Sequence, residues 1–574
     1  MTTISNPQAS LNPAGQPSFL AFQHLFLILT LAAAGMAALL ALLPAAGHDQ
    51  LWFLMMSRRW LTGAQLYGPQ AFDSNPPGVV WLSALPVLLG NTLHIPTTFA
   101  AKLLVILAET AATTLSYSFL KRARPSTRAY ELPALLFSAI VLFYVVPARD
   151  LGQRDQILAF LILPYILAAI IPFRDHRLVL ARITAAIMAA VGICLKPHYA
   201  LIVITVELIL LLKPSKLLTE PPKLDAGSSK LEAQSDPPSF KPSPKTSASE
   251  TPSRIRQLLR PEPILIALIG IDFLAAIHHF TPLYFTSALP ILHDTYWAIG
   301  HLSLPALALE AIELCILATI SLALYLRTKP RSPAVLILLI AASAATLAYI
   351  IQGTGWYYQQ LPAIDLFGAA LTLQLLDLAQ SKPSALAKIP RWLTPTVTAL
   401  SVLALALTTH FTGYPFTPDR SFAITTPDPA FFTALPPNTS VAILTTSVDA
   451  AMMPIERYHL TWAQRTNNLW LLPAILRSET PTAGIPPRRI LTPSAITALD
   501  NLQRRWMVED LTHWHPQLIL IDRCQDPTVQ CQELEDRHDN LLAFFLRDPA
   551  FATLWQSYTY TGSHGDFDAY TLKP

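Results

Sequence analysis

The stretch FLAFQHLFLILTLAAAGMAALLALLPAAGHDQ, residues 19–50, decides the fold class of this protein. Its apolar part, Phe19 to Leu43, contains no Asp, Glu, Lys or Arg. It is long enough to cross the hydrocarbon core of a bilayer, which takes about 20 residues of helix. Because it is too long for the apolar region of a typical signal peptide and no Lys or Arg precedes it, we interpret it as an uncleaved anchor. Asp49, the first charged residue of the chain, would then emerge at a membrane face.

The composition of the 574-residue chain agrees with a membrane protein. Hydrophobic residues make up 52% and charged residues only 13%, whereas soluble proteins carry about 25% charged residues. This excludes a purely soluble enzyme, a disordered scaffold and a disulfide-stapled secreted domain. The net charge of +3 is too small to indicate binding to nucleic acid.

The four cysteines do not have the spacing of a metal site. Cys194 and Cys315 lie in apolar runs, so we interpret them as packing residues. Cys524 and Cys531 lie in the polar stretch RCQDPTVQC, and they are candidates for a disulfide if this part of the chain faces an oxidising space.

Eleven apolar runs have about the length of a membrane span. They are Phe19–Leu43 and residues 97–119, 131–147, 156–172, 178–195, 199–212, 262–280, 305–326, 333–351, 361–379 and 393–409. The run Val79–Leu89 is too short to span and contains Pro86, so we expect a helix at the membrane surface or partly embedded.

The distribution of Lys and Arg orients these spans. With the N-terminus in the cytoplasm, the cytoplasmic loops contain 22 Lys and Arg and the outer loops of the membrane domain contain five. Such a bias is typical of the cytoplasmic side. Counting Val79–Leu89 as a span would reverse every later loop and destroy the bias. We therefore predict a multi-pass protein of a cell inner membrane.

The chain divides into segments of different composition. Residues 1–18 form a tail and residues 19–409 a transmembrane domain. Within the latter, residues 214–260 are rich in Pro, Ser, Lys and Glu and are predicted to be a disordered cytoplasmic linker. Residues 410–574 are predicted to be an α/β domain on the outer, periplasmic face, with strands at VAILTT (441–446) and LILID (518–522) and helices around 460–477 and 494–512.

Asp49 lies directly before LWFLMMSRRW, which has the apolar spacing of an interfacial helix. One interpretation is that Asp49 caps this helix. The other is a catalytic carboxylate, since ionisable groups beside a membrane are costly and mark functional sites. The two roles are compatible.

A second outer loop, ARDLGQRDQ (148–156), places two acids and two arginines between apolar runs. Asp150, Arg154 and Asp155 could form an ion-pair cluster of small energetic value. Alternatively, one carboxylate lies near Asp49 and an arginine binds a phosphate.

Further along the chain, Lys196 and His198 in KPHYA are either interfacial or phosphate-binding. Trp356 and Tyr357 in GTGWYYQQLP belong either to an aromatic belt at the interface or to a site that stacks against a sugar ring.

Taken together, these residues resemble the C-type glycosyltransferase (GT-C) superfamily. The resemblance is to bacterial members of the group of protein O-mannosyltransferases and lipid A aminoarabinose transferases. It rests on Asp49 after a first span, Leu66-Tyr67, Phe72-Asp73 and Asn75-Pro76-Pro77-Gly78, and it covers roughly residues 20–410. Family members often have Asp-Glu where this chain has Asp49-Gln50, which puts a role for the second acid in doubt.

The resemblance implies transfer of a sugar from a polyprenyl-phosphate donor to a lipid, polysaccharide or protein acceptor in the cell envelope. It implies that Asp49 is the base and Asp155 the second carboxylate, with Asp150 as the alternative. Arg154, Lys196 and His198 would bind the donor phosphate, and Tyr67, Trp356 and Tyr357 would contact substrate. A divalent metal ion is compatible with this chemistry but is not required by it.

Two other functions compete with this one. A transporter or flippase of lipid-linked sugars would show internal repeats, and none is clear in the sequence. A non-catalytic membrane protein with a partner-binding outer domain is the second alternative, and Gln50 keeps it open.

Overall fold

The computed structural model describes residues 27–32, 35, 36, 39, 46–124, 131–147, 150–171, 178–212, 260–296, 298, 301–327, 332–381, 427–479, 490–523 and 540–574. The predicted span 393–409, the linker as far as residue 259, the pair Cys524 and Cys531, and much of the first span lie outside these residues.

The described part of the chain before residue 382 is built of helices. Their bounds are α1 His48–Leu61, α2 Gly78–Leu93, α3 Thr97–Ala123, α4 Glu131–Ile140, α5 Arg154–Ala168, α6 Val179–Leu195, α7 Ala200–Leu212, α8 Pro261–Phe280, α9 Leu289–Thr295, α10 Leu304–Glu310, α11 Ile312–Arg327, α12 Pro333–Gln352 and α13 Leu361–Ser381. Two π-helical segments, Val141–Val145 and Tyr284–Ala288, follow α4 and precede α9.

Four of the described helical segments are long and apolar enough to cross a membrane, so the chain is a membrane protein, as predicted. They are Thr97–Ala123, Pro261–Phe280, Pro333–Gln352 and Tyr357–Leu378. The predicted span 305–326 is broken into α10 and α11, which are bent by 86° and make a fifth span if they are counted together. α2 has 16 residues, more than predicted, but remains shorter than a spanning helix.

At one end of the helices, buried arginines link the helix termini. Arg182 pairs with Glu262 and donates to the carbonyl of Ile171, just beyond α5. Arg260 pairs with Glu207 and donates to the carbonyl of Ala169. From the sequence, both arginines belong to the 22 Lys and Arg assigned to cytoplasmic loops. Instead they are buried, because the last carbonyls of a helix need donors and its C-terminus favours positive charge.

The C-terminal part contains a five-stranded mixed sheet with flanking helices. Its elements are β1 Ser440–Leu444, α14 Asp449–Arg457, β2 Thr461–Trp462, α15 Leu471–Glu479, α16 Pro493–Trp514, β3 Leu518–Asp522, α17 Leu541–Leu546, α18 Pro549–Trp555, β4 Tyr558–His564 and β5 Phe567–Leu572. The strand order is β2-β1-β3-β5-β4, in which β1 is parallel to β2 and β3.

The sequence predicted β1, β3 and α16 near their observed positions. The prediction of a helix around 460–477 was wrong for the first half of that range. There, a two-residue strand and a loop precede α15. The antiparallel hairpin of β4 and β5 was not predicted.

α1 is not the surface helix that its apolar spacing suggested. Trp52 and Met56 are fully buried, because the C-terminal part of the chain packs on this helix. Arg58 binds Glu456 with two hydrogen bonds of 2.7 and 2.9 Å. Arg59 donates to the carbonyls of three residues in two separate segments, Gln70, Trp462 and Gln464.

Arg59 is therefore expected to hold the C-terminal domain on the helical domain. In Arg59→Ala, each of the three carbonyls that water cannot reach should cost about 1–3 kcal/mol. We expect this variant to release the C-terminal domain at lower urea concentration, measured by limited proteolysis of the purified protein.

Arg58→Ala is the matched control for this experiment. The Arg58–Glu456 pair is more exposed, with side chains 39% and 30% accessible, so its loss should cost at most about 1 kcal/mol. Equal urea sensitivity of the two variants would contradict the role given to Arg59.

Candidate functional site

At the opposite end of the helices from Arg182 and Arg260, two acids and two bases form one buried cluster. Arg154 Nη2 lies 3.0 Å from Asp49 Oδ2. Lys196 Nζ lies 3.1 Å from Asp155 Oδ2. Since Arg154 and Asp155 are consecutive at the start of α5, the two pairs are joined through the chain.

Local structure explains why Asp49 points into this cluster. α1 begins at His48, with Gly47 as its N-cap, so Asp49 lies inside the first turn and the capping interpretation is wrong. A carboxylate in the first turn is favoured by the helix dipole. Its other oxygen, Oδ1, lies 3.3 Å from His48 Nε2.

A glycine with positive φ brings the second loop close to Asp49. Gly152 has φ +86°, and a Cβ added there would lie 2.6 Å from Gln50 Nε2. The amide of Gln50 therefore packs on the Gly152 backbone, two residues before Arg154. Gln50, which stands where family members often have Glu, therefore contacts the turn that precedes Arg154 and Asp155.

The charges set the protonation of Asp49. Burial alone would raise the pKa of its carboxyl group, but His48, Arg154 and Lys196 outweigh burial and hold this pKa below its usual range. Asp49 is therefore ionised at neutral pH. Burial lowers the pKa of Lys196, and Arg154 adds to this effect, against the opposing attraction of Asp155 and Asp49.

The loop between α1 and α2 positions Arg154 through a chain of hydrogen bonds. The Asp73 carboxylate accepts from Trp52 Nε1 at 2.6 Å and from the main-chain N–H and side-chain amide of Asn75 at 2.6 and 2.7 Å. Asn75 Oδ1 in turn accepts from Arg154 Nη1. Burial raises the pKa of Asp73, while the hydrogen bonds from Asn75 oppose this rise. The roles of Trp52 and Asn75 were missed, although the DSNPP motif signals an ordered turn here.

Tyr67 is part of this support. It is fully buried and donates to the Asn75 carbonyl at 2.6 Å. It was predicted to contact substrate, but its hydroxyl is directed at the loop backbone.

Asp155 is completely buried, with 0% of its surface accessible. Tyr199 OH lies 3.3 Å from Asp155 Oδ1 and donates to the carbonyl of Gln359 at 2.9 Å. The sequence left open whether Asp155 or Asp150 is the second carboxylate of the site. Asp155 is the one that lies beside Lys196. Asp150 is also buried, and its carbonyl accepts from the N–H of Gln153 in the turn before α5.

The remaining candidates lie around Lys196. His198 is exposed and its ring packs on Tyr199 at 4.6 Å. Lys196 Nζ lies 5.3 Å from the ring centre of Tyr358, which contacts the ring of Trp356. Trp356 is 44% exposed and open to a ligand. Tyr357 instead donates to the carbonyl of Val146.

A divalent metal ion does not fit the donor set of this cluster. Among the residues that the structure describes, no group of three or more His, Cys, Asp or Glu side chains is arranged to hold one. Asp49 and Asp155 are already compensated by Arg154 and Lys196. The arrangement suits an anion that exchanges with these carboxylates.

No family model and no curated protein matches the chain. Among solved structures, the chain is similar to the oligosaccharyltransferase AglB from Archaeoglobus fulgidus in complex with an inhibitory peptide and a dolichol-phosphate. The identity is 11% and the TM-score 0.41, over 94% of this chain and 74% of that one.

The chain is also similar to ArnT from Cupriavidus metallidurans bound to undecaprenyl phosphate. Here the identity is 12% and the TM-score 0.45, over 97% of this chain and 98% of that one.

The pairing of Lys196 with Asp155 gives a stability test. Lys196→Met should destabilise the protein by about 3–5 kcal/mol, because it leaves a buried carboxylate uncompensated. Adding Asp155→Asn should recover much of this loss, as measured by thermal unfolding in detergent and analysed as a double-mutant cycle.

The exposed i,i+4 pair of Arg505 and Glu509 is the control, with side chains 64% and 46% accessible. Arg505→Met should change stability by no more than about 0.5 kcal/mol. A double variant as unstable as Lys196→Met alone would show that the two groups do not compensate each other.

Proposed function

We propose that this protein transfers a sugar from a polyprenyl-phosphate donor to an acceptor hydroxyl at the outer face of a cell inner membrane. One observation carries the proposal. Two cationic side chains, Arg154 and Lys196, are held with two carboxylates, Asp49 and Asp155, at one end of a set of apolar helices. The reaction needs this combination, since the donor has an apolar tail, a phosphate leaving group and a sugar that an acceptor must attack.

Arg154 and Lys196 bind the donor phosphate in this mechanism. A phosphate that leaves with increasing negative charge needs positive charge near its oxygens, and groups fixed in advance stabilise it without reorganisation. Asn75 and Phe53 position Arg154, by a hydrogen bond and by ring contact at 4.9 Å. Asp155 positions Lys196.

Asp49 acts as the base toward the acceptor. While Arg154 pairs with it, the low pKa of Asp49 makes it a weak proton acceptor. When the donor phosphate attracts Arg154, that compensation weakens and the pKa of Asp49 rises toward the value that a base requires. The acceptor oxygen then bonds to the anomeric carbon, the bond from that carbon to the phosphate oxygen breaks, and the hydroxyl proton passes to Asp49.

The proposal also covers the sugar-contacting residues, the orientation of the chain and the acceptor. Trp356 is exposed beside Tyr358 and stacks on the sugar, and His198 lies at the phosphate side near Lys196. In this proposal the N-terminus lies in the cytoplasm and the C-terminal domain in the periplasm, which the charge bias of the loops supports. The acceptor is a lipid, polysaccharide or protein of the envelope.

Asp49→Asn tests this mechanism. In nanodiscs with a panel of radiolabelled polyprenyl-phosphate sugars and an envelope extract as acceptor, it should reduce label transfer and release of free polyprenyl phosphate about 10²–10⁴-fold. The purified variant should remain folded, because Asn preserves the shape of Asp.

Asp294→Asn is the control, an acid expected at the same face whose side chain is 39% accessible; it should transfer at the wild-type rate. Full activity of Asp49→Asn would reject Asp49 as the base. Sugar translocation without cleavage of the phosphate bond would identify a flippase instead.

A further inference from the structure

A cavity lies among the helices of the helical domain, away from the charged cluster around Arg154. It has a volume of about 550 Å³ including its open mouth, and side chains of α3, α4, α5, α12 and α13 line it. On α5 the lining begins at Leu163, about 13 Å along the helix from Arg154 at 1.5 Å per residue. It continues to Leu167, close to the Ala169 carbonyl that accepts from Arg260. The cavity therefore belongs to the half of the helices opposite the charged cluster.

The lining of this cavity is almost entirely apolar. Leucine side chains from four helices line it, namely Leu120, Leu135, Leu167 and Leu373. Two hydroxyl groups of the wall, those of Ser138 and Thr372, bond to each other at 2.7 Å. Such walls offer water too few polar partners to hold it in place, and walls that face empty space lose dispersion contacts. A hydrocarbon chain is the occupant that this lining fits.

Ionic side chains close one end of the cavity. Arg124 lies one helical turn after Leu120, and its Nη2 is 2.5 Å from Asp377 Oδ1 and 3.8 Å from Glu131 Oε1. Asp377 and Glu131 likewise lie one turn beyond lining residues of α13 and α4. The apolar space thus ends at a charged boundary formed by three helices, as the hydrocarbon core of a bilayer ends at its headgroups.

An exposed cation lies beside this boundary. Lys121, in the last turn of α3, shares a helix face with Tyr117 and Thr113, because residues four apart lie one above the other. Both Tyr117 and Thr113 line the cavity and are half-buried, whereas Lys121 and the following Arg122 are exposed. Basic pockets between membrane helices bind anionic lipid headgroups. One face of α3 therefore combines an apolar wall with an accessible positive charge.

The tail of the proposed sugar donor is the competing occupant, and the packing disfavours it. Phe143 lines the cavity and belongs to the same buried cluster as Val105 and Leu151. Leu151 adjoins Gly152, where an added Cβ would lie 3.4 Å from Val105. Among the residues that the structure describes, these side chains separate the cavity from a chain bound at Arg154.

We propose that this cavity binds one acyl chain of an anionic phospholipid, with the lipid phosphate beside Lys121. The cavity is open on one side, so the chain enters it from the bilayer. The bound chain packs on Leu163 and Leu167 and so stabilises α5, the helix whose first residues enter the charged cluster. This binding does not rest on the proposed function.

Photolabelling of the full-length protein in nanodiscs tests the site. The probe is phosphatidylglycerol with a diazirine in one acyl chain, diluted into phosphatidylcholine, and the labelled residues are identified by mass spectrometry. Label is expected on Leu120 and Leu167, which line the cavity but are buried from lipid that surrounds the protein. Ala139→Phe fills the cavity and should reduce this label at least tenfold. Ala111→Phe, the same change on the exposed face of α3, should leave it unchanged.

Lys121→Gln tests the headgroup contact. It should reduce labelling by the phosphatidylglycerol probe about fivefold, while labelling by a phosphatidylcholine probe with the same acyl chain stays unchanged. Arg327→Gln is the control, an exposed basic residue at the end of α11, and it should alter neither labelling. Equal labelling of the wild type by the two probes would overturn the assignment of an anionic lipid.

A second filled variant and thermal unfolding separate binding from folding. Ala369→Leu fills the same cavity from α13 with a smaller change and should also reduce the label. Phosphatidylglycerol should raise the unfolding temperature of the wild type more than that of either filled variant, since a ligand stabilises only the state that binds it. Label on Leu120 and Leu167 that persists in both filled variants, or is absent from the wild type, would overturn the proposal. Label there from a polyprenyl-phosphate diazirine probe in place of phosphatidylglycerol would assign the cavity to the donor tail and would also overturn it.

Discussion

Charge compensation at the end of apolar helices is the constraint on which the rest of this structure depends. Asp49, Arg154, Asp155 and Lys196 are each largely removed from water, and a buried ion without a counter-ion costs several kcal/mol. The two acids and two bases therefore require one another. An incoming phosphate could replace a carboxylate as counter-ion to Arg154 or Lys196 without leaving either cation uncompensated. A cluster that is stable without a ligand could therefore also exchange its ion pairs with a bound anion.

The position of α5 is controlled from both ends by charged side chains. Its first two residues, Arg154 and Asp155, enter the cluster. Carbonyls at its far end accept from Arg182 and Arg260, which are held by glutamates of other helices. Because ion pairs hold its first residues and arginine donors hold its last carbonyls, α5 has little freedom to shift along its axis. This is the preorganisation that electrostatic stabilisation of a leaving group requires.

Much of the fold and part of the site could be predicted from this sequence. Long apolar runs identify membrane helices because bilayer thickness sets their length. Few charged residues lie in the loops that the charge bias assigns to one side, so Asp49, Arg154, Asp155 and Lys196 are conspicuous there. The break between α10 and α11 could not be predicted, since a bent pair is as apolar as a straight span. The hairpin of β4 and β5 was missed because much of β4 is exposed and lacks an apolar alternation.

Contacts between distant segments explain the remaining errors and link the two parts of the molecule. Arg58 and Arg59 lie in the last turn of α1 and have the pattern of an interfacial segment, but most of their partners lie about 400 positions away in the chain. No local pattern contains that information. The same long-range contacts fasten the 64–75 loop between the C-terminal domain and Arg154. A movement of the C-terminal domain would therefore act on Arg154 through Phe72, Asp73 and Asn75, which gives that domain a physical means of influencing the charged cluster.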